Sequence, residues 1–241
     1  MREFIIGINE TGQRLDKYLK KILPNASSGF LYKMLRKKNI TCNKAKMTGK
    51  EQLKKGDRIQ IFFSEETFMK FMQDPEKLKN EFEQLKTLPL KGLRVVYEDE
   101  DILIADKPYN MLSQKAKDHD ISANEYLLGY LIRSGSLELE GFASFRPSVC
   151  NRLDRNTTGL LLMGKSLNGS QTLSQALKDR TIRKFYRALV SGEIKESAHL
   201  SGYLRKDEKT NQVEILEKEA DNASYIETAY EPVAYKNGVT E

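Results

Sequence analysis

Tryptophan is absent, and among 241 residues there are only 2 cysteines, 2 histidines and 6 prolines. Cys42 and Cys150 lie far apart without a Cys-x-x-Cys spacing, and His119 and His199 are not clustered with them. That scarcity argues against a disulfide framework and against a zinc site. Also missing is any apolar run approaching the ~18 residues of a membrane span, and the start, Met1 to Gly7, lacks the long apolar core of a secretory signal. A soluble, cytoplasmic protein is expected. The length allows one or two domains and a sizeable core.

Charge is abundant and unevenly placed. The chain carries 31% charged residues and a net charge of +6. Between Arg14 and Arg58 stand 14 lysines and arginines against 3 acids, a local excess of +11 that leaves the remainder at −5. A basic block of that density inside a folded pattern points to a polyanion.

Within that block, Leu15, Tyr18, Leu19 and Ile22 recur at helical spacing, and Pro24 ends the helix they define. A second helix is expected after Ser27 and Ser28, with Leu31, Met34 and Leu35 facing in and Lys33, Arg36 and Lys37 facing out. Turn signals at Asn43, Thr48-Gly49 and Gly56-Asp57 lead to a strand ending at Phe63, in which Ile59, Ile61 and Phe63 alternate with more polar positions. Residues 65–91 mix charges with Phe68, Phe71, Phe82 and Leu85 and read as a helical connector. From Arg94 the texture changes: Val95-Val96-Tyr97, an acidic turn and Ile102-Leu103-Ile104-Ala105 read as a hairpin. Ser122 with Glu125 forms a capping box for a helix that Gly135 ends. Leu173 and Leu177 mark another helix, and Arg183 to Gly192 reads as a strand with Tyr186, Ala188 and Val190 on one face.

The chemistry is expected in Val149 to Ser166, V-C-N-R-L-D-R-N-T-T-G-L-L-L-M-G-K-S. Asp154 is flanked in sequence by Arg152 and Arg155, and nearby positive charge favours the ionised carboxylate. Such a group serves as nucleophile or base without a cofactor. Asn156, Thr157, Thr158 and Gly159 are turn formers, and Leu160 to Met163, having no polar face, is expected to be a strand buried on both sides. Gly159-x-x-x-x-Gly164-Lys165-Ser166 also fits a phosphate loop, but the four residues between the glycines are apolar and the polar turn precedes them. A phosphate loop needs inward-curled amides from a flexible turn, so that reading is set aside.

Arg152-Leu153-Asp154 followed by Thr157-Thr158-Gly159-Leu160-Leu161-Leu162 resembles the central motif of the ribosomal large-subunit type of RNA pseudouridine synthases. Asn151 replaces the usual histidine and Thr158 the usual serine. Val96 to Pro108 resembles the family's first motif, whose Lys-Pro shapes the site floor, and Arg183 to Gly192 its second. Arg14 to Leu19 through Gly56-Asp57 resembles the RNA-binding domain named after the fourth protein of the small ribosomal subunit.

The resemblance implies an α+β protein. Residues 1–64 would be a small basic α/β RNA-binding domain and 65–91 a helical connector. Residues 92–241 would be a catalytic domain with a mixed, mainly antiparallel sheet and flanking helices. The family's third motif does not follow Asn237-Gly238-Val239-Thr240, so an incomplete C-terminal part is expected. The implied reaction converts uridine to pseudouridine in structured RNA, ribosomal RNA above all, with no metal or cofactor, by a monomer that needs no membrane. It implies Asp154 as the catalytic carboxylate, Arg152 and Tyr186 as substrate contacts, and Arg14, Lys17, Lys33, Arg36, Lys37, Lys44 and Lys184 as RNA contacts. The alternative is an RNA-binding protein that uses the basic module alone, or a truncated chain, in either case without catalytic activity.

Overall fold

A computed structural model describes residues 1–7, 10–207 and 212–241. The chain divides into two compact units, Met1–Ile182 and Arg183–Glu241.

The first unit opens with β1 (Arg2–Ile5), α1 (Leu15–Ile22), α2 (Ser28–Arg36), β2 (Ile40–Cys42), β3 (Ala45–Lys46) and β4 (Arg58–Ile61). The helices start and stop as the residues dictate: Ser27 caps α2 by accepting from Phe30 N, and Leu15, Tyr18 and Leu19 form the buried stripe of α1. The strands form an antiparallel sheet in the order β1-β4-β2-β3. The edge strand β1 was not foreseen. Nor was burial of Gln60, which breaks the alternation of β4; its amide donates to Glu3 at 3.0 Å and accepts from Thr41 at 3.3 Å, so its polar atoms are satisfied inside.

The stretch read as a connector is helical, α3 (Glu65–Phe71) and α4 (Pro75–Thr87), and its two halves serve different cores. Phe68 is buried with Leu15, Leu35 and Ile61, whereas Phe82 and Leu85 are buried with Leu127, Leu161 and Met163.

The second core belongs to β5 (Arg94–Glu98), β6 (Ile102–Lys107), α5 (Ala123–Arg133), α6 (Leu139–Ser144), β7 (Ser148–Val149), β8 (Gly159–Gly164) and α7 (Leu167–Lys178). Its sheet is antiparallel in the order β5-β6-β8-β7. Ser122 and Glu125 form the capping box of α5. At Gly129 a Cβ would lie 2.4 Å from Leu85 O, so α4 and α5 approach by backbone contact that only glycine permits.

The apolar strand Leu160–Met163 is not buried on both faces. Leu161 and Met163 are fully buried in the core, but Leu160 is 52% exposed, because strand side chains alternate and the core lies against one face.

The second unit contains β9 (Val190–Ser191), β10 (Ala198–Lys206), β11 (Val213–Leu216), β12 (Ala223–Tyr230), β13 (Tyr235–Lys236) and β14 (Val239–Thr240). Strands β11-β10-β12 and β13-β14-β9 form two antiparallel sheets. The expected strand over Arg183 to Gly192 is reduced to β9; residues 183–189 have no ladder partner among the described residues, and without one a strand's amides gain nothing from extension.

Candidate active site

Asp154 stands on the loop that joins β7 to β8, and that loop is stitched to the sheet before it leaves it. Cys150 N donates to Leu162 O at 2.7 Å. The Asn151 side chain then does what a strand backbone would do: its Nδ2 donates to Leu160 O at 3.0 Å and its Oδ1 accepts from Leu162 N at 2.8 Å. After Asp154 the chain turns back through Thr157 N, which donates to Asp154 O at 3.1 Å, and enters β8 at Gly159 with φ +125°, a conformation open to glycine.

The residues on either side of Asp154 are held by one neighbouring segment, 107–113. Ser113 is 3% exposed; its hydroxyl donates to Leu153 O at 2.7 Å and accepts from Leu153 N at 2.9 Å. Lys107 is completely buried, and its ammonium donates to Met111 O at 2.8 Å, Pro108 O at 3.1 Å and Arg155 O at 3.3 Å. Burial pushes the Lys107 ammonium below its ordinary pKa, and the negative charge of Asp154 pushes it back up. Asp154 is therefore an exposed carboxylate on a clamped backbone, with a buried cation in its field.

That cation differs from the one expected. Among the described residues no ion pair joins Asp154 to Arg152 or Arg155, both of which are exposed. Lys107 could have been found from register, since Leu103, Ala105 and Lys107 share the inward face of β6. Ser113 carried no such signal, and the Asn151 bonds depend on the loop's path. Ser113→Ala should lower stability by about 2 kcal/mol, because both polar groups of Leu153 lose a buried partner; urea unfolding measures it.

The phosphate-loop reading fails in detail. Gly159–Gly164 is β8 itself, Lys165 Nζ donates to Glu98 at 2.7 Å and to Asp99 O at 2.6 Å, and Ser166 caps α7 by accepting from Gly169 N. A Cβ at Gly169 would lie 2.0 Å from Asp101 O, so carbonyl oxygen fills the space at this helix start.

The expected RNA contacts divide by element. Lys17, Lys33, Arg36 and Lys37 are exposed on or beside α1 and α2, while Arg14 is tied to Asp16 at 2.8 and 3.1 Å, with Tyr32 OH donating to the same carboxylate at 2.8 Å. Lys44 is exposed in the β2–β3 turn. In the second unit, Lys184 and Tyr186 lie in the irregular stretch, with Tyr186 63% exposed. Among the described residues no group of three or more His, Cys, Asp or Glu is placed to hold a metal ion, and no helix is long and apolar enough to cross a membrane.

The profile of the family described as RNA pseudouridylate synthase matches residues 101–241, more than half of the chain. The chain belongs to that family. An uncharacterized RNA pseudouridine synthase of Mycoplasma genitalium is 27% identical over 234 residues, covering 97% of this chain and 69% of that protein. The ribosomal large subunit pseudouridine synthase C of Rickettsia felis is 30% identical over 229 residues, covering 94% and 70%. Human RNA pseudouridylate synthase domain containing 4 aligns in structure with a TM-score of 0.44 and 13% identity, over 67% of this chain and 60% of that one. This synthase isomerises uridine in RNA: the glycosidic bond from ribose C1′ to uracil N1 breaks, the base turns, and C1′ rejoins it at C5, which gives up its proton.

Proposed function

We propose that this pseudouridine synthase acts on structured ribosomal RNA and that Asp154 is the carboxylate that starts bond cleavage. The observation that carries the role of Asp154 is the clamp: exposed itself, it is held between Leu153 and Arg155, whose carbonyls are bound by Ser113 and Lys107. A reacting group held this way loses little entropy at the transition state. As a nucleophile it would attack ribose C1′; as a base it would take a ribose proton. Either course uses the ionised carboxylate and leaves N1 free to depart. The ribosomal substrate is supported by the name of the Rickettsia felis relative.

Arg152, exposed two residues before Asp154, would fill the space left when the uridine leaves its helix, since chemistry on a base requires extruding it. Tyr186 would stack on the uracil, as its place in the second motif implies. Residues 1–64 would grip RNA by phosphate and shape through Arg14, Lys17, Lys33, Arg36, Lys37 and Lys44, with Lys184 contributing from the second unit. The chain would divide into an RNA-binding domain over 1–64, a connector over 65–91 and a catalytic domain over 92–241; the two separate cores within residues 1–182 support the first two boundaries. A monomer working in the cytoplasm completes the reading.

Tritium release from ribosomal RNA carrying label at uridine C5 tests the substrate. Release above that from transfer RNA of equal uridine content is expected, and a preference for transfer RNA would overturn the ribosomal assignment. Arg152→Ala should raise KM roughly tenfold, the size of one lost charge-assisted contact, while leaving the unfolding transition in place.

A further inference from the structure

We propose that the two adjoining turns at Asn43-Lys44 and Lys54–Asp57 carry the RNA-phosphate contacts of the N-terminal module beyond α1 and α2, adding Lys54 and Lys55 to Lys44 as one patch. It rests on the reading that the N-terminal module engages RNA.

The turns are locked to each other. Asn43 Nδ2 donates to Asp57 Oδ1 at 2.9 Å, Arg58 N donates to Asn43 Oδ1 at 2.9 Å, and Asn43 N donates to Arg58 O at 2.9 Å. The second Asp57 oxygen accepts from Lys54 N at 2.7 Å, and Asp57 N returns a bond to Lys54 O at 3.0 Å. Both oxygens of Asp57 are therefore taken up by the framework. Glu51 is likewise occupied, accepting from the amides of Thr48 and Gly49 at 2.7 and 2.8 Å. Among the described residues no ion pair involves Lys44, Lys54 or Lys55, and all three are exposed.

Backbone conformation places one of these ammonium groups. Asn43 and Lys44 are the two central residues of the β2–β3 hairpin, with φ of 51° and 65°. Such a turn needs positive φ at both positions, and its second position favours glycine because a Cβ crowds the backbone there. Lysine at that position accepts strain and sets an ammonium at the hairpin tip.

Unpaired ammonium groups on two rigid turns suit the phosphate oxygens of an RNA backbone, contacts that position a nucleic acid without reading its sequence. RNA touching both this patch and the α1–α2 face would be held at two places, which fixes its orientation as well as its affinity.

The test is fluorescence anisotropy of a labelled RNA hairpin with the full chain over a range of salt concentrations. Lys44→Gly should raise Tm by about 2 °C by relieving the left-handed strain. The same change should weaken RNA binding about threefold and flatten the log Kd against log salt slope by about one. Opposite signs on stability and affinity separate a lost contact from a damaged fold. Lys54→Ser with Lys55→Ser should weaken binding with Tm unchanged. Lys33→Ala with Arg36→Ala serves as the helix-face control. If only the control weakens binding, the two-turn site is wrong and the module still binds RNA; if neither set changes affinity or slope, the reading of the module itself fails. Binding to anionic phospholipid vesicles that requires the three lysines, with RNA affinity unmoved, would reassign the patch to a lipid surface.

Discussion

Asp154→Asn should abolish tritium release from C5-labelled uridine in ribosomal RNA, with a loss on the order of 10⁴-fold, the scale of removing a reacting group. Asparagine keeps the shape of the side chain and removes the charge that attacks the sugar or takes its proton. The loss should fall on kcat, with RNA affinity nearly unchanged, because the residue contributes chemistry rather than grip. Stability should stay within about 0.5 kcal/mol, since the side chain is exposed and no ion pair holds it among the described residues. Full turnover by Asp154→Asn would reduce Asp154 to a partner of buried Lys107 and move the search for the reacting group elsewhere.

Lys107→Met should lower stability by about 3 kcal/mol and Tm by roughly 6–12 °C. Methionine matches the length of the lysine stem but cannot donate, so the carbonyls of Pro108, Met111 and Arg155 lose a buried partner. Activity should fall further than stability accounts for, because the carbonyl next to Asp154 is one of the three. The pH dependence supplies an independent check. Burial holds the Lys107 ammonium below its ordinary value, so between the lowered and the ordinary value the unfolded chain binds more protons than the folded one. Stability contributed by this site therefore rises as pH climbs through that window, and Lys107→Met should remove the rise. Urea unfolding from neutral to alkaline pH measures both effects. A variant with native stability and an unchanged alkaline limb would show that the three carbonyls find other donors.

Local patterns were legible because they depend on near neighbours. The stripe of Leu15, Tyr18 and Leu19, the Ser27 cap, the capping box of Ser122 with Glu125 and the strands around the acidic turn at Glu98 are set by spacing within a few residues. The strand over Arg183 to Leu189 was misread because alternation reports which face a residue would take, and a strand also needs a partner that no local pattern supplies. The same limit explains Leu160: an apolar run shows that burial is possible on either side, while the packing of helices decides on which side it happens.

By itself, the sequence determined that Asp154 lies on a turn ahead of an apolar strand and that a basic α/β segment precedes it, and it weighed against a phosphate loop over Gly159 to Ser166, which the structure then excluded. Resemblance along the chain was enough to point to the family. Only the tertiary structure decided what holds Asp154. Ser113 reaches Leu153 across 40 positions and Lys107 reaches Arg155 across 48. Such bonds form because the fold of β6 and β8 brings distant backbone together against the buried side chains of Lys107 and Ser113, where each buried carbonyl must find a donor.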